Sequence, residues 1–210
     1  MGLRIAIDQD EVLAEFVAGM LKVWNLEHGT DIWRQDVKSW MLEETFGPGT
    51  YPAICEVLSR PGFFADLASK PGALSSVREL LAAGHEIVVV TSIEPSIGEQ
   101  AYAGKREWVA EHLPELDPKD LFFVSRKGWI DADILLDDAV HNIEDWAIGR
   151  QRPGGILFDA PWNRGRSASR LFDPRKWGQV VRRACSWSDV MVYIEQIGHE
   201  GQRPGKREED

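Results

Sequence analysis

The sequence predicts an α/β fold in which a parallel sheet carries helices on both faces. Five short apolar runs are typical of buried strands, at residues 3–7, 86–90, 121–124, 134–136 and 155–158. Loop or helix signals follow each run, and this alternation is typical of parallel strands joined by crossover helices. Two of the runs end in closely spaced acids, which places a candidate site at the carboxyl edge of the sheet.

The first predicted strand stops abruptly at two carboxylates. Residues 3–7 lead directly into Asp8 and Asp10. Side chains two positions apart on an extended segment point the same way, so both acids can face one bound ion or phosphate group. The alternative interpretation is an Asp-rich turn between a strand and a helix.

A second acid pair repeats this pattern. Asp137 and Asp138 follow the run 134–136. If the two strands are neighbours, four carboxylates converge, and each pair at roughly 4 Å repels by about 4 kcal/mol at an effective dielectric constant near 20. A cation is therefore expected among them. Oxygen ligands without a nearby His or Cys cluster favour Mg²⁺.

Hydroxyl and amine groups lie between the two acid pairs. Thr91 and Ser92 follow the second predicted strand and can donate hydrogen bonds to phosphoryl oxygens, although such residues are also common helix N-caps. Lys127 comes shortly after the third strand, and Lys105 lies on a helix-like stretch. A lone lysine is ordinarily a surface charge, but one that faces four acids at a strand end can neutralise a phosphoryl group.

Two further helices are predicted from apolar faces with helical spacing, formed by Leu74, Val77, Leu80 and Leu81 and by Val190, Tyr193, Ile194 and Ile197. Gly84 is expected to end the first, and Ser188 and Gly198 are expected to bound the second. Residues 199–210 hold seven charges and no large apolar side chain, which predicts a disordered tail.

The long connection between the first two strands predicts a separate element. It is far longer than a crossover helix requires, so residues 17–69 are expected to form a small helical cap over a core of residues 1–16 and 70–198. Pro71-Gly72 and the chain near Phe16 are the expected hinges. The cap is rich in aromatics, which either fill its interior or stack on a nucleobase; they are Trp24, Trp33, Trp40, Phe46, Tyr51, Phe63 and Phe64.

Composition restricts the classes of partner. A net charge of −10 argues against a nucleic-acid polymer as substrate, because phosphate backbones are held by Lys and Arg. Two cysteines, Cys55 and Cys185, require no disulfide framework and favour a reducing cytoplasm. No membrane span or signal peptide is visible, and no glycine fingerprint for ATP or NAD is present.

The spaced motifs resemble those of a known superfamily. Asp8-x-Asp10-x-Val12, Thr91-Ser92, Lys127 and Asp137-Asp138 are similar to the four motifs of the haloacid dehalogenase superfamily of phosphotransferases. Within it, most of residues 3–197 resembles the 5′(3′)-deoxyribonucleotidases, through DQDEVLAEF, PGFFADLASKPGA, VVVTS, GKREWVAEHL, ILLDD and the Ser-Trp-Ser helix start near residue 187. The chain departs from that family at Gln9, Glu11 and Ala139-Val140, where Met, Gly and Arg-Pro are usual.

The resemblance implies a Rossmann-like core, a helical cap and Mg²⁺-dependent hydrolysis of nucleoside monophosphates, with deoxyribonucleotides favoured. Asp8 is expected to attack phosphorus and Asp10 to act as general acid and base, while Thr91 and Lys127 hold the phosphoryl oxygens. The expected metal ligands are Asp8, the backbone carbonyl of Asp10, and Asp138, with Asp137 in support.

The expected substrate-binding residues are Phe16, Trp40, Phe64, Ser92 and Lys105. Two alternatives stay open from sequence: a phosphatase for another small phosphorylated metabolite, and a non-catalytic nucleotide-binding protein on the same scaffold. The sequence also leaves open the physiological nucleotide, the preference between 5′ and 3′ esters, and whether the chain forms a homodimer.

Overall fold

A six-stranded parallel sheet forms the centre of the molecule. The structure, a computed structural model, describes residues 2–150, 153–177 and 180–200. The strand order is β3-β2-β1-β4-β5-β6, and every pairing is parallel. The strands are β1 (Arg4–Asp8), β2 (Glu86–Thr91), β3 (Leu121–Phe123), β4 (Ile134–Asp137), β5 (Gly155–Phe158) and β6 (Val181–Ala184). The predicted α/β class is confirmed.

Helices cover both faces of this sheet, because successive residues of the central strands enter different apolar clusters. The helices are α1 (Phe16–His28), α2 (Glu43–Phe46), α3 (Tyr51–Leu58), α4 (Ala73–Ala82), α5 (Gly98–His112), α6 (Val140–Ala147), α7 (Arg166–Ser169) and α8 (Trp187–Glu200). Ile5 and Ile7 pack into one cluster with α1, α3, α4, α5 and α8, whereas Ala6 packs into the other with α6. Strands buried on both faces read as continuous apolar runs, which is why β1, β2 and β4 were visible in the sequence.

The pairing of the central strands brings the two acid motifs together. β1 lies between β2 and β4, with Ile7 opposite Val89 on one side and Leu136 on the other. Parallel strands in this register end at the same edge, so the residues that follow Ile7 and Leu136 meet there. The predicted neighbourhood of the two acid-ending strands is confirmed.

Two sequence expectations at the carboxyl terminus were wrong. Ser186, rather than Ser188, caps α8, because its Oγ accepts the backbone N–H of Asp189 at 3.2 Å. Gly198 lies inside α8, which continues through Glu200, so the predicted tail begins too early. The rest of that tail, residues 201–210, lies outside the described residues. The strand β6 was not predicted at all.

A helical segment lies between β1 and β2 and contains α1, α2 and α3, with a 3₁₀ turn at Arg34–Asp36. The chain enters and leaves this segment side by side: the backbone N–H of Glu15 donates to the carbonyl of Ala68 at 2.8 Å, and the backbone N–H of Lys70 donates to the carbonyl of Leu13 at 2.7 Å. The division into core and cap stays a prediction. No helix in the described part of the chain is long and apolar enough to cross a membrane.

Candidate active site

Asp8, at the end of β1, lies in a buried ion cluster. The ammonium of Lys127 is 2.6 Å from Oδ1 of Asp8 and 2.6 Å from Oδ2 of Asp137. A 3₁₀ turn at Lys127–Trp129 carries this lysine, whose side chain is 2% exposed. Asp137 also accepts from the backbone of Ala139 at 2.8 Å and from the Asn142 amide. Asp137 therefore holds the lysine and has little capacity left for another partner.

The electrostatics of this cluster follow from two buried acids, Asp8 and Asp137, that share the ammonium of Lys127. Burial raises the pKa of Asp8 to about 7; Lys127 opposes the change, and Asp137 and Asp10 add to it. Burial lowers the pKa of Lys127, but the charges of Asp137 and Asp8 outweigh burial and raise that pKa above its usual value. Lys127 is consequently a permanent cation at the edge of the sheet.

Asp138, which directly follows β4, has one carboxylate oxygen engaged by the protein. Its Oδ2 accepts the indole N–H of Trp162 at 2.8 Å, and its backbone carbonyl accepts the Asn163 amide at 2.8 Å. Oδ1 is buried and has no hydrogen-bond partner among the described residues. Burial first, and then the charges of Asp137 and Asp8, raise the pKa of Asp138 well above its usual value.

The donor set fits a hard divalent cation. Carboxylate oxygens of Asp8, Asp137 and Asp138 lie within 4.8 Å of one another, and all three residues are buried. The unpartnered Oδ1 of Asp138 is the kind of group that a metal satisfies. Burial disfavours the charged forms of Asp8 and Asp138. A bound cation would offset this effect and stabilise both side chains in the ionised form. Oxygen ligands of this type suit Mg²⁺.

A second buried lysine, Lys105, binds Asp10. The ammonium of Lys105 is 2.7 Å from Oδ2 of Asp10, 2.7 Å from the Thr91 hydroxyl and 3.0 Å from the Ser92 carbonyl. Lys105 is 1% exposed and lies on α5. Oδ1 of Asp10 is buried without a hydrogen-bond partner among the described residues. Lys105 thus links the first acid motif to the hydroxyl at the end of β2.

Glu11, where the resembling family usually has Gly, connects this edge to the helical segment. Its φ is +61°, in the left-handed region that Gly adopts without strain. The buried carboxylate accepts from the backbone of Val17 at 2.6 Å, from Arg34 at 2.8 Å and from Lys70 at 2.8 Å. These contacts join the first turn of α1, the following 3₁₀ turn and the chain that returns to the sheet.

A cavity of about 320 Å³ opens beside the acids, between the sheet edge and the helical segment. Its walls include Asp10, Phe16, Trp40 and Trp162. Trp40 is 51% exposed. The predicted Phe64 does not line this cavity; it lies behind Phe16, with the ring centroids 6.0 Å apart.

The remaining predicted residues are nearly all at the same edge. Four of them are buried and do not line the cavity: Asp8, Thr91, Lys105 and Lys127. Each either belongs to an acid motif or is joined to one through one or two hydrogen bonds. Ser92 is exposed and contributes its carbonyl to Lys105.

The family follows from a comparison with known proteins. The family model described as 5′-nucleotidase, deoxy (pyrimidine), cytosolic type C protein matches residues 3–196. The chain belongs to this family. As a member of the type C nucleotidase family, it is a phosphatase that resembles the 5′(3′)-deoxyribonucleotidases, as the sequence motifs predicted.

Relatives within the type C nucleotidase family match along almost their whole length. A Bordetella bronchiseptica protein, provisionally named a 5′(3′)-deoxyribonucleotidase, is 31% identical over 192 residues, which are 90% of this chain and 100% of that protein. The Clostridium acetobutylicum 5′(3′)-deoxyribonucleotidase is 28% identical over 187 residues, which are 89% of this chain and 97% of the relative.

Solved structures show the same fold at low sequence identity. A haloacid dehalogenase-like protein of unknown function from Agrobacterium tumefaciens superposes with a TM-score of 0.56 at 15% identity, covering 94% of this chain and 100% of that one. A haloacid dehalogenase family hydrolase from Deinococcus radiodurans, solved with phosphate and sodium bound, gives 0.52 at 16% identity, covering 94% and 96%. The Rossmann-like fold expected for a type C nucleotidase is confirmed.

Sequence reasoning missed the residues that hold the acids in place. Trp162 and Asn163 both bind Asp138 from the loop after β5. Their only signal in the sequence is their position directly after a predicted strand. Arg34 and Lys70 carry no signal, because their partner Glu11 lies 23 and 59 residues away along the chain.

Proposed function

We propose that the protein is a Mg²⁺-dependent phosphomonoesterase that hydrolyses deoxyribonucleoside 5′- or 3′-monophosphates through an aspartyl-phosphate on Asp8. The observation that carries the proposal is the position of Asp8. Its carboxylate lies 2.6 Å from the Lys127 ammonium and in one oxygen cluster with Asp138, beside an aromatic-walled cavity. The names of the relatives support the nucleotide substrate.

Asp8 is the nucleophile in this scheme. Its carboxylate oxygen forms a bond to phosphorus while the bond from phosphorus to the sugar oxygen breaks, which leaves an acyl phosphate that water then hydrolyses. Covalent catalysis of this kind divides one difficult displacement into two easier ones. The Lys127 ammonium favours the ionised carboxylate that must attack.

Asp10 handles the proton. It protonates the leaving sugar oxygen in the first step and removes a proton from the attacking water in the second. Its Oδ2 is fixed by Lys105 at 2.7 Å, while Oδ1 keeps a free lone pair in a buried position. This arrangement leaves one oxygen for proton transfer and holds the other still.

The phosphoryl oxygens meet fixed donors and charges. Lys127 offers a permanent positive charge, and the Thr91 hydroxyl lies at the same edge. Asp8, the backbone carbonyl of Asp10, and Asp138 would hold Mg²⁺, which would neutralise phosphate charge as the bond to the leaving group breaks. Such preorganised charge stabilisation is commonly the largest contribution to catalysis.

The cavity suits the nucleoside part of the substrate. Phe16 and Trp40 line it, and aromatic faces bind nucleobases by stacking. Its volume of about 320 Å³ lies at the lower end of the range for small-molecule sites. We also propose a cytoplasmic location, because both cysteines, Cys55 and Cys185, are free thiols.

A substrate screen tests this function. Purified protein is assayed against deoxyribonucleoside and ribonucleoside monophosphates, sugar phosphates and p-nitrophenyl phosphate, with Mg²⁺, with Ca²⁺ and with EDTA. We expect the highest kcat/KM for deoxyribonucleoside monophosphates with Mg²⁺, loss of turnover in EDTA, and poor turnover with Ca²⁺ because its looser coordination misplaces the nucleophile. Full turnover in EDTA would contradict the metal assignment, and a preference for sugar phosphates would contradict the nucleotide assignment.

A further inference from the structure

Trp162 lies between the acid cluster and the helical segment. Its indole N–H donates to Oδ2 of Asp138 at 2.8 Å, and the Arg34 guanidinium packs over its ring at 5.3 Å from the centroid. Indole is a donor with a single hydrogen and no acceptor. The contact with Asp138 therefore commits one specified carboxylate oxygen to the protein.

The other oxygen of Asp138 is left for a ligand. Oδ1 is buried without a partner in the part of the chain that the structure describes. The Asn163 amide holds the backbone carbonyl of the same residue at 2.8 Å. Consecutive residues of one loop thus fix the main chain and one oxygen of Asp138, so the free oxygen has a defined direction.

The indole is itself held from the other side. Arg34 comes from the 3₁₀ turn that follows α1, and its guanidinium also donates to the buried Glu11 carboxylate at 2.8 Å. The ring of Trp162 therefore lies between the acid that it binds and a cation anchored in the helical segment.

We propose that Trp162 is a positioning residue of the metal site, whose N–H fixes the Asp138 carboxylate so that Oδ1 is presented to the divalent cation. The inference rests on the proposed function for the identity of that cation. Hydrogen bonds to metal ligands of this kind orient the ligand, and their loss weakens metal binding even though the partner never touches the metal.

Calorimetric titration of the full-length protein with Mg²⁺ alone tests the role. Trp162→Phe keeps a ring beneath Arg34 and removes the N–H, and we expect its Kd for Mg²⁺ to rise about 10- to 100-fold. Trp162→Leu removes the same donor with a smaller side chain and should lose affinity to the same extent. Asp138→Asn should bind Mg²⁺ more weakly than either.

Trp108→Phe is the matched control. The indole of Trp108 is buried and donates to the backbone carbonyl of Leu67 at 2.7 Å rather than to an acid, so this variant loses a hydrogen bond that is unconnected to Asp138. Its Kd for Mg²⁺ should equal that of the wild type even if its Tm falls. A Kd for Trp162→Phe within threefold of the wild-type value would overturn the inference.

The titration separates this inference from the proposed function because it contains no nucleotide. A protein that binds Mg²⁺ in a Trp162-dependent way but hydrolyses no nucleotide overturns the substrate assignment alone. An active nucleotidase whose Mg²⁺ affinity is unchanged in Trp162→Phe overturns the positioning role alone.

Discussion

Lys127 stabilises the acid cluster at the carboxyl edge of the sheet, and we propose that it also takes part in the chemistry there. Its ammonium lies 2.6 Å from carboxylates of both Asp8 and Asp137 and is almost fully buried. Removing one member of a buried ion pair typically costs 3 to 5 kcal/mol, roughly, because the remaining charge stays uncompensated. A substitution of Asp8 leaves the ion pair between Lys127 and Asp137 in place. The effect of such a substitution on catalysis can therefore be separated from its effect on folding.

Asp8 and Asp10, the two acids of the first motif, should behave differently when each is changed to Asn. Asp8→Asn removes the proposed nucleophile, and we expect no turnover and no covalent phosphoenzyme. Asp10→Asn should lower kcat by about 10²- to 10⁴-fold, through lost acid and base catalysis, while a phosphoenzyme still forms. Steady-state kinetics and intact-protein mass spectrometry during turnover measure both effects.

The exposed Asp31, on the helical segment, provides the control for these carboxylate variants. Asp31→Asn should turn over at the wild-type rate. An Asp8→Asn enzyme with near wild-type activity would show that another group attacks phosphorus.

Glu11 shows what a sequence alone cannot predict about single residues. The acids Asp8, Asp10 and Asp138 were identified because each follows or ends an apolar run. Glu11 was noted as a departure from the family, but its φ of +61° and its buried ion pairs depend on cations that are distant in sequence. A left-handed backbone costs about 1 kcal/mol for a residue with a Cβ, and three charge-assisted contacts offset that cost.

The predictability of the strands follows how apolar their residues are. β1, β2 and β4 are covered on both faces and were found as apolar runs. β6 lies at the edge of the sheet and reads Val-Arg-Arg-Ala, with its two arginines only half-buried, so no apolar run marks it. Its Arg183 instead forms ion pairs and hydrogen bonds with Asp159 and Asn163, which hold the loop that carries Trp162.

The helical segment contributes the cavity wall, and Trp40 tests that contribution. If Trp40 stacks on the base, Trp40→Ala should remove about 1 to 3 kcal/mol of binding in the transition state. That loss corresponds to a fall of roughly 5- to 150-fold in kcat/KM for a nucleotide. p-Nitrophenyl phosphate needs little from the cavity and should be affected much less, so the ratio of the two substrates is the measurement.

Trp33 provides a matched control for Trp40 within the same segment. It is 61% exposed and does not line the cavity, so Trp33→Ala should leave the ratio between the two substrates unchanged. If Trp40→Ala lowers kcat/KM for both substrates equally, Trp40 supports the fold and does not recognise the base.

The stability of the whole molecule should depend on pH through His85, which directly precedes β2 and binds the backbone directly before β1. Its Nδ1 accepts the backbone N–H of Leu3 at 3.1 Å, and burial lowers its pKa below 6.5. His85 therefore takes up a proton more readily in the unfolded chain than in the folded one. The stability that neutral His85 contributes to the fold is complete above pH 6.5 and is lost as the pH falls through the lowered pKa.

A variant that keeps the hydrogen bond but does not titrate isolates this effect. His85→Asn offers a carbonyl oxygen to the backbone N–H of Leu3. Between about pH 7.5 and 5.5 we expect the Tm of this variant to fall by ~2 °C less than the Tm of the wild type. Circular dichroism melting curves at both pH values provide the comparison. Equal falls in Tm would show that His85 is not responsible for the acid sensitivity of the fold.

Backbone hydrogen bonds join residues 13–15 to residues 68–70, so the helical segment is an insertion whose two ends lie side by side. The entropy of closing such a loop grows only with the logarithm of its length, by about 0.6 kcal/mol for each doubling. Segments of quite different size can therefore be accommodated at this point without changing the strand order of the sheet. This topology would let evolution exchange the segment that we propose to contact the nucleoside while the sheet edge that we propose to bind the phosphate is kept.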